Sequence, residues 1–269
     1  MLISKPKILC LFSAPLVTPK GKPLESLDVE AERTAIVREL SACNRQIELR
    51  IGFATIDELA RGISDGFNIL HFSGHGNPEF LLFEDGKGGS QPVKGNFLKK
   101  LIGTGGPFEL AIVSACHSEL IANMLVEAGV RHVLAIKCEV PVLDKAAITF
   151  TGQFYQNIFR RESIQKSFEM AKLLVEGNPE LMRINFQLEI LAQQQDEQFV
   201  PEQDKFVLLP KDGASVHLDP LLSQEVQQGM LNIDAPKFSM TNIPVRPQSF
   251  TGRSIELYRI INQIFSDRL

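Results

Sequence analysis

The sequence predicts an α/β domain with a mostly parallel central sheet and helices on both faces. Three observations carry this reading. Short, continuous apolar runs closed by turn residues recur along the chain, as strands buried on both faces require. Between them lie stretches with apolar residues at helical spacing, giving the strand-helix alternation of a parallel sheet. The chain has 269 residues, 44% of them hydrophobic and 22% charged, enough for one large domain or for a domain plus a fragment.

Taken in order, Lys7 to Phe12 (KILCLF) is a buried strand ended by Ser13-Ala14-Pro15, with Cys10 inside it as a small core residue. Over 28–42, Val29, Ile36, Val37 and Leu40 recur at helical spacing, and the Glu and Arg residues fall to the solvent side. Ile47, Leu49, Ile51 and Phe53 alternate with polar residues as a strand, and Thr55-Ile56-Asp57-Glu58 is a capping-box pattern that opens a helix. A third strand over 67–72 (FNILHF) runs into the loose turn Ser73-Gly74-His75-Gly76. Two runs, one at Phe80 to Glu84 and one around Pro92, flank Asp85-Gly86-Lys87-Gly88-Gly89 and read as a hairpin. A short helix through Leu98 and Ile102 precedes the fourth strand, Leu110 to Ser114 (LAIVS), after which come Ala115-Cys116-His117-Ser118 and a helix stopping at Gly129.

The fifth strand, 130–136, carries His132, read as a packed histidine. Asp144 to Phe159 is a core-facing helix, Ser163 starts the next, and the N-cap Asn178 with Pro179 launches a third through Leu181, Ile184, Leu188 and Leu191. A late strand follows at Phe206 to Leu209. Beyond it Pro210, Pro220, Pro236, Pro244 and Pro247 punctuate a stretch of weak periodicity. The expected division is a domain over 1–212, a linker over 213–247 and a further helical segment over 248–269.

Composition narrows the functional classes. A net charge of −4 and a pI near 5.8 give no global electrostatic reason to expect direct nucleic-acid or anionic-membrane binding. No apolar run approaches the ~20 residues of a spanning helix, so a cytoplasmic location without membrane attachment is expected. Cys10, Cys43, Cys116 and Cys138 are widely spaced with no C-x-x-C, arguing against a zinc cluster or a disulfide framework.

In an open parallel sheet, ligands gather at the carboxyl ends of the strands. His75 follows one such end and Cys116 another. A cysteine nucleophile needs a base to populate its thiolate, and an imidazole within reach supplies one and then protonates the leaving amine. Gly76 and Cys116 could offer backbone N–H groups to an oxyanion. The residues alone leave a second reading open, in which Cys116 is a buried core residue and His75 only forms a turn. His117 neighbours Cys116 but points away in extended backbone, making it a poor base. His71 and His75 are four apart across a strand and a glycine turn, so they do not converge on a metal, and His71 reads as packed within the strand.

Ile69-Leu70-His71-Phe72-Ser73-Gly74-His75-Gly76, Ala111-Ile112-Val113-Ser114-Ala115-Cys116, Ala128-Gly129-Val130, Pro141-Val142-Leu143-Asp144 and Phe154-Tyr155 together resemble the CHAT domain, a caspase- and separase-like peptidase module of clan CD. The resemblance spans about residues 7 to 210. It implies a caspase-hemoglobinase fold and a cysteine endopeptidase. His75 would be the catalytic histidine, Cys116 the nucleophile and Gly76 an oxyanion glycine, with no metal or cofactor. The position two before the cysteine, acidic in metacaspases, is Ser114 here, so a basic P1 preference does not carry over. Candidate carboxylates for a substrate pocket are Asp85, Glu139 and Asp144, although Asp85 also suits the hairpin turn, Glu139 a solvated loop and Asp144 a helix cap.

Near the end, Phe250-Thr251-Gly252-Arg253 with Glu256 and a hydrophobic helix looks like the entry segment of a STAND or AAA-type NTPase module. No G-x-x-x-x-G-K-[ST] is present, so ATP would belong to a missing downstream region. A helical tail that packs on the peptidase or mediates self-association is the plainer alternative. The implied function is the regulated effector protease of a larger sensor, oligomerising on activation and cleaving a protein partner in bacterial antiphage immunity or cell death. Two alternatives stand beside it: a non-catalytic CHAT-like interaction domain, and a small-molecule thiol hydrolase or transferase.

Overall fold

The computed structural model describes residues 2–24, 27–137, 141–195, 198–211, 214–234 and 254–266. Its strands are β1 (Lys7–Phe12), β2 (Ile47–Phe53), β3 (Ile69–Ser73), β4 (Phe80–Glu84), β5 (Ser90–Lys94), β6 (Leu110–Ser114), β7 (His132–Ile136), β8 (Phe206–Leu209) and β9 (Leu231–Asp234). Its helices are α1 (Val29–Ala42), α2 (Ile56–Ser64), α3 (Gly95–Gly105), α4 (Glu119–Glu127), α5 (Asp144–Phe159), α6 (Ile164–Glu176), α7 (Pro179–Gln195) and α8 (Ser254–Ser266).

Seven strands form one sheet in the order β8-β7-β6-β3-β1-β2-β9, and β4 and β5 form a separate antiparallel hairpin. Every neighbouring pair in the large sheet is parallel except β7 with β8. The strands are buried on both faces, as their continuous apolar runs require. In β1, Ile8, Cys10 and Phe12 face a core shared with α1, α5 and α6, while Leu9 and Leu11 face a second core with α2, α3, α4 and the hairpin.

The helix starts expected at Thr55, Ser163 and Asn178 are capped by those side chains, which accept bonds from backbone N–H groups at the starts of α2, α6 and α7. Three expectations need correction. Glu32 lies on the buried face of α1 with Ile36 and Leu40, not on its solvent face. On α7 only Leu181 is buried, and Leu188 and Leu191 are exposed. Most of 214–234 is no free linker: Leu221, Leu222 and Val226 are buried, and β9 extends the sheet beyond β2.

Two buried polar clusters tie the periphery to the sheet. Lys205 and Glu202, both nearly inaccessible, form an ion pair beside β8. Lys205 Nζ also donates to Pro141 O at 2.8 Å, and Glu202 Oε2 accepts from Leu143 N at 3.0 Å, fixing the approach to α5. Elsewhere His132 on β7 meets His217 with the two Nδ1 atoms 2.8 Å apart, and His217 Nε2–H donates to Pro210 O. Burial first, then the facing His217 and Arg131, pushes His132 down to about 3, and burial lowers His217 as well.

Both imidazoles are thus harder to protonate folded than unfolded. They leave stability unaffected above the unfolded value near 6.5 and cost stability as pH falls below it, where the unfolded chain binds protons that the fold refuses. Each refused proton is worth about 1.4 kcal/mol per pH unit. Urea unfolding is expected to show a marked loss of stability from pH 7 to pH 5, and the double variant His132→Leu/His217→Leu should show a clearly smaller one.

Candidate functional site

The β3–β6 ladder sets the site. Its pairing runs in register to Ser73 opposite Ser114, and His75 and Cys116 each follow two residues beyond that rung. Gly74 N–H donates to Ser114 O at 3.1 Å, so the two departing chains stay joined past the last paired residues. His75 and Cys116 are both half-buried and line one cleft, together with Glu32, Ser73, Val142 and Asp144.

The turn that carries His75 is held from both sides. Ser13 N–H donates to Ser73 O at 2.8 Å, and Ser13 Oγ–H to Leu82 O at 2.5 Å. Leu82 N–H donates to His75 O at 2.9 Å, making the β4–β5 hairpin a brace for the histidine. Gly74 and Gly76 answer to space. A Cβ at Gly74 would sit 2.8 Å from Ser13 Cβ, and one at Gly76 would sit 3.1 Å from Ala115 Cβ, Cys116 O and Leu81 Cδ2. The glycines let the histidine loop lie directly on the cysteine loop.

Cys116 occupies the turn between β6 and α4. Ser118, fully buried, pins that turn by donating to Val113 O and accepting from Ile136 N, both at 3.1 Å. His117 between them takes the left-handed region at φ 58°, a conformation that costs a side chain energy unless its surroundings impose it. It does not line the cleft. The other described cysteines are poor nucleophiles. Burial, and then the Glu32 carboxylate, pushes the Cys10 thiol far up, and burial pushes Cys43 up to about 11.

Beneath the cleft lies a network that periodicity alone did not reveal. Ser73 Oγ–H donates to Glu32 Oε2 at 2.5 Å, and His71 Nε2–H to Glu32 Oε1 at 3.2 Å. Tyr155 O–H completes the chain at His71 Nδ1, 3.3 Å away. His71 is therefore a bonded, fully buried histidine. The available signal for Glu32 was its spacing: it stands four and eight residues before Ile36 and Leu40, in line with the buried face.

Of the three pocket carboxylates, Asp144 lines the cleft. It is the first residue of α5, one place after the cap at Leu143, and its Oδ2 accepts from Asp28 N at 3.2 Å rather than from its own helix. Asp85 instead holds the hairpin turn, its Oδ1 accepting from Lys87 N and Gly89 N, and it is not part of the cleft lining. Glu139, like Cys138 and Phe250 to Arg253, lies outside the described residues. Among the described residues no group of three or more His, Cys, Asp or Glu side chains is placed to hold a metal ion, and no helix is long and apolar enough to cross a membrane.

Glu32→Ala would leave Ser73 Oγ and His71 Nε2 buried without their acceptor. A stability loss of about 1–3 kcal/mol is expected in urea unfolding, with a smaller loss for Glu32→Gln.

A family model described as the CHAT domain matches residues 16–180. Among solved structures, the Arg-specific cysteine proteinase gingipain R aligns with a TM-score of 0.50 at 13% identity, over 82% of this chain and 48% of that one. The complex of Porphyromonas gingivalis RgpB pro- and mature domains aligns with a TM-score of 0.46 at 14% identity, over 82% and 48%. The chain thus spans about half the length of these proteinases. At this identity the likeness to gingipain R bears on the fold, which is the caspase-like α/β arrangement. None of the curated proteins matches the chain.

Proposed function

We propose, since the chain belongs to the CHAT domain family, that its cleft is the active site of a cysteine endopeptidase. The observation that carries this reading is the placement of His75 and Cys116 beyond paired rungs of adjacent strands, lining one cleft. His75 takes the Cys116 proton, and the thiolate attacks the scissile carbonyl carbon. Gly76 N–H and Cys116 N–H receive the oxyanion; the close approach of the Gly76 and Cys116 backbones supports that pairing. The imidazolium then protonates the leaving amine as the C–N bond breaks, leaving a thioester. Water, deprotonated by His75, attacks the thioester and frees the carboxylate, and the thiol recovers the proton.

Of the candidate pocket carboxylates, Asp144 lines the cleft, which supports it as the partner of a basic P1 side chain. Among the described residues the lining includes the carboxylates of Asp28 and Asp144, besides the bonded Glu32, and no Lys or Arg, which favours a cationic residue there.

The finer role is that of a regulated effector domain acting on a protein partner within a larger sensor. Two observations support regulation. The cleft volume is only about 50 Å³, well below the roughly 300–1,000 Å³ of ordinary ligand sites, which is in keeping with a site whose walls move apart on activation. In addition, α8 reaches the tip of the hairpin that braces His75: Asn262 Nδ2 donates to Lys87 O at 3.5 Å, and Tyr258 and Ile261 approach Gly88. Through this contact a downstream NTPase region, fuelled by ATP and assembling on activation, would adjust the histidine loop. A role in bacterial immunity or cell death is the setting such a pairing would serve.

Activation of the longest available protein, followed by proteome-wide mapping of new N-termini, tests the reading. Cleavage is expected to fall at least about a thousandfold in both Cys116→Ala and His75→Ala. Undiminished cleavage by Cys116→Ala would overturn the peptidase assignment and leave the interaction domain as the better description. Asp144→Asn should weaken any preference for Lys or Arg at P1.

A further inference from the structure

We infer that the groove between α1 and α5 is an exosite for an extended polypeptide segment of the substrate, several residues away from the scissile bond. The inference rests on the peptidase reading and deepens it.

The first observation is one of size and continuity. The groove has a volume of about 610 Å³, against about 50 Å³ for the cleft, and the two share Asp28, Asp144 and Ile148 as common walls. A site that holds little of its substrate at the reacting centre must draw binding energy from parts remote from it. The groove adjoins the cleft at these residues, where the Asp28 N–H to Asp144 Oδ2 bond joins α1 to α5, so a chain with its carbonyl at Cys116 would pass over that bond to reach it.

The second observation is Gly152, in the interior of α5 on the groove wall. Glycine is among the weakest helix formers, so its use inside a helix calls for a reason. Gly62 in α2 has one: a Cβ there would sit 2.3 Å from Leu9 Cδ2, inside the strand beneath it. Gly152 has none among the described residues. A Cβ at 152 would meet only Glu39 Cγ, at an ordinary 3.8 Å. Nor is its φ in the left-handed region. The space kept by the missing methyl group is space in the groove, where an incoming chain would use it.

The lining also fits a peptide. Ala31 and Ala35 keep the α1 wall low; Arg38, paired with Glu39, has further N–H groups to donate, and Thr149 Oγ1 and Gln153 Oε1 can accept while their own donors bond within α5. This mixture suits main-chain recognition of an extended segment rather than a ligand of one charge.

The test uses two probes on the full chain: quenched random tetrapeptides, which span the cleft alone, and quenched random dodecapeptides, which reach the groove. Gly152→Leu is expected to lower the ratio of dodecapeptide to tetrapeptide cleavage about tenfold, through KM. Gly152→Ala should lower the ratio less while raising Tm by about 2–4 °C, because helix propensity improves as the groove fills. Opposite signs in stability and long-substrate cleavage are what a purely structural glycine would not give. Ala31→Phe, blocking from the opposite wall, guards against a misfolded leucine variant. Independently of turnover, benzophenone-bearing dodecapeptides should crosslink to α1 and α5 in Cys116→Ala protein, and Gly152→Leu should suppress this. Crosslinking there without cleavage by the activated wild-type protein would uphold the groove and sink the peptidase reading. Cleavage with an unchanged length ratio, or crosslinks only outside the groove, would overturn the exosite.

Discussion

Ser73 and Ser114 face one another at the last rung of the β3–β6 ladder, and the site is measured from that rung. Parallel pairing in register sends both chains out of the sheet at the same edge and the same height. Two residues further on, one chain presents an imidazole and the other a thiol. Slipping the register by one residue would turn each strand's side chains to the opposite face and separate the two groups. Burial on both faces prevents such a slip, because every residue of β3 is buried and nearly all of β6 is as well.

The rung is held by a buried side-chain network below and by a backbone-bonded hairpin above. Below, the Glu32, Ser73, His71 and Tyr155 network joins α1, β3 and α5 through side chains that are almost fully buried. On the flank, the Glu202–Lys205 pair bonds to the backbone at Leu143 and Pro141. Burying two charges is costly, and the pair is best understood by what it holds in place. It fixes the start of α5, and with it Val142 and Asp144 at the cleft. Above, the histidine loop rests on a hairpin whose far tip meets α8.

Much of this was legible because strands buried on both sides leave apolar runs that polar solvent would not tolerate, and because Thr55, Ser163 and Asn178 are side chains suited to capping. The placement of His75 and Cys116 was legible for a related reason, since each follows a run that could only be a strand. Glu32 was not, because amphipathic patterning assigns a carboxylate to solvent and does not see the hydroxyl and imidazole that receive it. Nor could spacing show that Leu188 and Leu191 face outward, since it establishes an apolar stripe without naming what covers it. The strand at Leu231–Asp234 was hidden by its position: an edge strand is short and half polar, and its prolines-and-polars context reads as a linker.

The central claim is that His75 activates Cys116 across the cleft. Timed alkylation of the folded protein with iodoacetamide near neutral pH, read cysteine by cysteine by mass spectrometry, tests this most directly. The account predicts that Cys116 is modified well ahead of Cys10 and Cys43, and that His75→Ala slows its modification about tenfold or more while leaving the other two unchanged. Modification of Cys43 before Cys116, or an unaltered Cys116 rate in His75→Ala, would contradict it.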